Sequence, residues 1–198
     1  MVRPPSTIAN STIRQHPERS VPDEAPEILA KGLVAHVGFV LDGRPHVLPF
    51  TYDYDPASPD RIHVHGSLSG TTLTHLAGGA PVCVEVSHVD GLVYSKTALY
   101  HSMNYRSVVA YGSARKVEDP KVKRAMFDRL IARYFQGRTE GADFSPLTPE
   151  HIDSVAVLEI RIQEWSAKAR RGGPRGPHDD DPAAPGTSGV IDMTGPGR

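Results

Sequence analysis

The sequence predicts a mainly β fold of about six to seven mostly antiparallel strands curled into a barrel, with one short and one longer helix. Three observations carry that prediction. Apolar and polar residues alternate in short runs, most cleanly over 61–65, where Ile62 and Val64 share one face and His63 and His65 the other. Tight-turn dipeptides, Asp42 with Gly43 and Asp90 with Gly91, sit between such runs. Only the stretch that starts at Asp119 and Pro120 keeps a convincing helical spacing, whereas a parallel nucleotide-binding sheet needs a crossover helix between strands.

Each element follows in order. Residues 33–41 and 44–54 flank Asp42 and Gly43 and read as a hairpin, with 61–65 as a third strand. The segment 66–79 opens on small hydroxyl residues and closes on Gly78 and Gly79, the start and stop signals of a short helix. Residues 81–89 and 91–100 form two more strands on either side of Asp90 and Gly91. A polar stretch, HSMNYR at 101–106, leads into a long strand over 107–117. Pro120 then opens the longer helix, in which Val122, Met126 and Leu130, with Phe127 and Tyr134, recur at three- and four-residue spacing. A last alternating run, 154–162, closes the domain and gives the order β-β-β-α-β-β-β-α-β. A hairpin-built sheet of this length tends to curl rather than stay flat.

Composition bounds the setting. The chain has 198 residues, 38% of them hydrophobic, which is enough for one core. Residues 1–26 and 168–198 are Pro-rich and polar, so they read as an N-terminal arm and a C-terminal tail around a domain at 27–167. Lys and Arg (22) nearly balance Asp and Glu (23), so no global field draws the chain to nucleic acid or an anionic membrane. Cys83 is the single cysteine, which excludes an internal disulfide. With no apolar run near the roughly 18 residues of a membrane span and no apolar stretch at the start, a cytoplasmic protein is expected.

Chemistry has few obvious homes. The hydroxyls of Ser67, Ser69, Thr71 and Thr72 at a helix start suit either a phosphate or simple capping. His63 and His65 form an H-x-H pair, but no third ligand completes a metal set, and no metal is expected. Cys83 lies in a strand-like run and is expected in the core, while no nucleophile elbow or Walker-type loop occurs. At the start of the long strand, Arg106 can grip a phosphate or ring carbonyl and Ser107 can donate a hydrogen bond; polar capping of a loop is the alternative.

Taken in order, HVGFVLDGRPHVLPFTYDY, RIHVHGS, GLVYSKTALYHSMNYRSVVAYGSARKVEDP and EWSAKARRGGP resemble the pyridoxamine 5'-phosphate oxidase-like superfamily, in its flavin-nucleotide-binding branch, over about residues 10–177. The resemblance implies an FMN-binding split β-barrel that forms a homodimer with the flavin between subunits, related to nitroimidazole-resistance reductases. By position, Val47, Leu48, Pro49 and Phe50 would run along the isoalloxazine ring. His65, Gly66, Ser67, Gly70, Thr71 and Thr72 would hold ribityl and phosphate. Lys96, Arg106 and Ser107 would complete the site, and Trp165 and Lys168 fall where the family's C-terminal segment approaches the ring. The implied activity is that of an FMN-dependent oxidoreductase moving hydride or electrons between flavin and a small organic substrate, with His101, Tyr105 and Arg106 as proton donors or substrate anchors. One departure stands out: Thr71 and Thr72 occupy positions where this family commonly has Arg or Lys. The alternatives are a non-catalytic flavin reservoir or sensor, and a haem- or deazaflavin-using relative.

Overall fold

Asp42 and Gly43 adopt positive φ values, 50° and 73°, as a two-residue hairpin turn of primed type requires. They join β1 (Ala35–Leu41) to β2 (Arg44–Phe50), and Leu41 pairs with Arg44 across the turn. The structure, a computed structural model, is described for residues 11–195. Before the hairpin comes α1 (Ala25–Lys31); after it come β3 (Tyr52–Tyr54), β4 (Arg61–Ser67), α2 (Thr71–Ala77) and β5 (Gly78–Tyr94). The chain continues through β6 (Ser102–Lys116), α3 (Pro120–Tyr134), α4 (Pro149–Asp153), β7 (Val155–Arg170) and β8 (Gly189–Asp192).

All the strand pairings are antiparallel, in the order β2-β1-β5-β6-β7-β4-β3, with β8 attached to β5. The two ends of that order, β2 and β3, are separated in sequence by Thr51 alone. A sheet whose opposite ends are one residue apart along the chain has to curl on itself. The barrel is therefore closed by the covalent chain and not by a ladder, which is the split form. Its interior is filled by Val37, Tyr52, Ile62, Val64, Leu76, Val84, Leu158 and Ile160, all essentially inaccessible. A smaller cluster of Val117, Met126, Leu130 and Val157 seats α3 on the outside.

Three expectations need correction. Residues 81–89 and 91–100 are not two strands around a turn. β5 runs unbroken past Asp90, where only the register with β6 shifts, so the Asp-Gly pair makes a bulge. A side chain at Gly91 would sit 2.9 Å from Val190 Cγ1, which explains the glycine there. Secondly, the polar residues 102–106 do not precede the strand; β6 begins at Ser102 and includes them. Thirdly, β7 does not stop at 162. The register irregularity opposite Tyr111 and Gly112 flips its phase, so that Leu158, Ile160 and Ile162 face inward before it and Trp165 and Ala167 after it.

The segments expected as arm and tail make specific contacts. Val21 N–H donates to the Ala167 carbonyl at 2.9 Å, and α1 buries Ala25, Ile28 and Leu29 in the core. At the other end β8 pairs with residues 91–94 of β5. No helix among the described residues is long and apolar enough to cross a membrane.

Candidate functional site

β2 is an edge strand, hydrogen-bonded on one side only. Val47 (63% exposed), Leu48 and Pro49 are bare, and Phe50 is half-buried. Apolar side chains on an unpaired edge mark a surface that suits a ligand or a partner. The first strand ties this edge to α2: His75 Nε2 lies 2.8 Å from the Val40 carbonyl, and Phe39 stacks on His46 with ring centroids 5.3 Å apart. α2 therefore packs beside the β1–β2 hairpin.

The loop that opens α2 leaves the first N–H groups of the helix without a side-chain acceptor. Among the described residues no side chain caps α2; Ser67 and Ser69 instead hydrogen-bond each other at 2.9 Å, and Gly70 N–H donates to the Ser67 carbonyl. Thr71 is exposed and Thr72 half-buried. Gly66 lets the helix approach, since a Cβ there would meet Leu73 Cδ1 at 2.7 Å. The His65 side chain is taken up by α3: its ring packs edge-on to Phe127 at 5.0 Å, its Nδ1 is buried without a partner, and burial lowers its pKa. Any part it plays in the loop falls to its backbone.

On β6, Arg106 is spoken for within the chain. Its Nε and Nη2 donate to the two carboxylate oxygens of Asp90, at 2.8 and 2.7 Å, and this bidentate pair holds Asp90 below the usual carboxylate range. The bulge residue thus serves as the arginine's anchor. Tyr105 and Ser107 are half-buried, and Ser107 faces Lys168 across the ladder. His101 is exposed, with Nδ1 3.1 Å from the Ala98 carbonyl. A carbonyl only accepts, so Nδ1 carries a proton in this contact and Nε2 is left outside it.

Three other expected site residues are engaged elsewhere. Trp165 is 9% exposed and belongs to the barrel core. Lys168 Nζ donates to the Gln15 carbonyl at 3.4 Å, and Lys96 Nζ donates to the Asp181 carbonyl at 2.6 Å. Cys83, expected in the core, is half-buried with its inward neighbours Val82 and Val84 lining the barrel, and burial raises its pKa.

A second group of polar residues escaped sequence reasoning. His63, expected as part of an H-x-H pair, shares no ligand with His65. Its Nδ1 lies 3.1 Å from Asp53, which in turn accepts two hydrogen bonds from Arg129 at 2.9 and 2.6 Å. Glu159, 3.7 Å from His63 Nε2, is paired with Arg115 at 2.7 Å. Desolvation would raise the Asp53 carboxyl, but the hydrogen bonds from His63 and Arg129 outweigh it and leave its pKa lowered. His63, Arg115, Arg129 and Glu159 border a cleft of about 450 Å³ between α3 and the β4–β7 pair, where cations and anions balance. The arrangement braces α3 against the barrel.

An open, chain-closed antiparallel barrel with a bare edge strand and a hydroxyl-rich loop defines the split-barrel class. The chain belongs to the pyridoxamine 5'-phosphate oxidase family, whose model matches residues 22–169. A flavocytochrome from Azotobacter vinelandii is 28% identical, with a TM-score of 0.80 over 94% of this chain and 85% of that one. An FAD- and haem-binding protein from Mycobacterium smegmatis is 30% identical, with a TM-score of 0.74 over 86% and 81%. A candidate 5-nitroimidazole antibiotic resistance protein from Bacteroides thetaiotaomicron shares the fold at 22% identity, with a TM-score of 0.59 over 74% and 82%. No curated protein sequence matches the chain.

Proposed function

We propose that this protein is a homodimeric flavin-dependent oxidoreductase that carries FMN in the crevice between β2 and α2. The observation behind the reading is the bare apolar edge of β2 beside a hydroxyl-rich loop in which, among the described residues, no side chain caps the first N–H groups of α2. These residues fit a flavin. Val47 and Pro49 on one face of β2 and Leu48 and Phe50 on the other offer apolar side chains beside an unpaired strand edge to the ring, and the hydroxyls of Ser67, Thr71 and Thr72 offer hydrogen bonds to ribityl and phosphate. When bound, the flavin supplies hydride or electron transfer. The chain's own residues orient it and handle the proton. His101 is the base or acid at the surface, Tyr105 and Ser107 line the strand beside it, and Arg106, fixed by Asp90, positions rather than transfers. A second subunit would cover the edge strand, and two-fold dimers are the commonest assemblies.

The loop offers no cation to the phosphate, so the affinity for FMN should be modest. Restoring one with Thr71→Arg should tighten FMN binding by up to about 2 kcal/mol, the range for a charge at a helix terminus or partly buried pair. The gain should shrink as salt is added. Titrating FMN fluorescence against parent and variant at two salt concentrations tests this, and unchanged or weaker binding in the variant would remove the phosphate from this loop. A second reading, haem alongside FAD, is favoured by the likeness to the flavocytochrome and to the FAD- and haem-binding protein. Titrating FAD in parallel, with a haemochrome assay on the same preparation, separates the two.

A further inference from the structure

Between β5 and β6 the chain makes a short polar turn, and Ser95 in it is 5% exposed. Its hydroxyl donates to the Asp179 carboxylate, with the two oxygens at 2.9 and 3.0 Å. The Lys96 N–H donates to Oδ1 of the same carboxylate at 2.8 Å, and the Gly176 N–H donates to Oδ2. Ser95 Oγ is itself oriented by the Thr97 N–H at 3.1 Å. A buried hydroxyl and two backbone N–H groups thus converge on one anion. Desolvation would raise the Asp179 pKa, but these donors outweigh it and lower it. Beside the carboxylate, the Lys96 ammonium is spent on a neutral carbonyl, that of Asp181.

The segment that delivers Asp179 is weakly held. It lies beyond the residues matched by the family model, it is rich in Pro, Gly and Asp, and most of its residues are exposed. Apart from the Asp179 contacts, its main attachment is the four-residue strand β8, whose Val190 (42%) and Ile191 (50%) remain largely in solvent. Segments with so little buried apolar area open at low free-energy cost. Once lifted, the strap would leave Ser95 Oγ and Lys96 N–H without acceptors and would free a lysine ammonium beside them, an arrangement that favours an anion over water.

We propose that the Ser95–Lys96 turn is an anion-binding site for a phosphate or carboxylate group, and that the C-terminal strap closes it by inserting Asp179 as an internal competitor. Lys96 Nζ pairs with the incoming anion after leaving Asp181. The inference does not depend on the flavin reading, because none of the atoms that hold Asp179 belongs to the β2–α2 crevice.

Inorganic phosphate is the probe, titrated calorimetrically into the full chain at constant ionic strength. Asp179→Ala and the isosteric Asp179→Asn should each bind phosphate at least tenfold more tightly than the parent, and adding Lys96→Ala should reverse the gain. In the parent itself, high phosphate should speed amide hydrogen exchange in β8, because the anion displaces the strap. A pair of Asp179 variants that bind phosphate no better than the parent would overturn the proposal. So would β8 exchange in the parent that is unchanged by phosphate, a readout that needs no variant to fold.

Discussion

Replacing Asp53 by alanine should lower stability by about 3 kcal/mol, the low end of the loss on breaking a buried ion pair. The carboxylate side chain is 3% exposed and holds both Arg129 and His63. Its removal leaves His63 buried without its partner, while Arg129, 41% exposed, can rehydrate and so limits the damage. For a chain of this size the loss corresponds to roughly 6–12 °C in Tm. Thermal unfolding followed by circular dichroism measures it, and a shift within a degree or two would show that the network is ornamental. The same contact sets an acid limit. Because the folded pKa of Asp53 lies below its unfolded value near about 4, its contribution is complete above that pH and is lost as pH falls through the folded value. The parent should lose stability in that acid range more steeply than the alanine variant.

Gly112→Ala should be comparably damaging for a different reason. A Cβ at this position would lie 2.0 Å from the Arg161 carbonyl oxygen and 2.9 Å from its carbon, both backbone atoms of β7 at the irregularity. Backbone in the middle of a barrel cannot swing aside as a side chain would. The strand would have to shift, and with it the phase that turns Trp165 and Ala167 inward, at a cost of about 3 kcal/mol, the upper end of the usual range for overpacking. Gly38→Ala is the matched control: its nearest neighbour is the Cys83 carbonyl oxygen at 3.4 Å, an ordinary contact. That substitution should be neutral or stabilising by up to about 1 kcal/mol. Urea unfolding of the two variants checks the contrast, and equal midpoints would contradict it.

Local signals carried the parts of the fold that were legible in the sequence. The Asp42–Gly43 turn was readable because its geometry demands positive φ, and β4 was readable because one of its faces is buried in the barrel. The second half of β7 was not, because a single irregularity reverses the alternation that marks a strand. At Asp90 and Gly91 the dipeptide signal was real, but it cannot distinguish a hairpin from a bulge, and pairing with both β6 and β8 decided for the bulge. β8 is four residues inside a Pro- and Gly-rich run, too short to show a period. Long-range pairing hid the polar chemistry: Arg129 reaches Asp53 across 76 positions, and Asp179 reaches Ser95 across 84. Arg106 stood out in the sequence as a residue able to grip an anion, and its partner in this chain is Asp90.

The visible absorption spectrum of the freshly purified protein, with the released chromophore identified by chromatography, tests flavin binding most directly. The account predicts a flavin spectrum whose chromophore co-elutes with FMN and is bleached by a chemical reductant. Protein that emerges colourless and leaves the fluorescence of added FMN and FAD unquenched would contradict it.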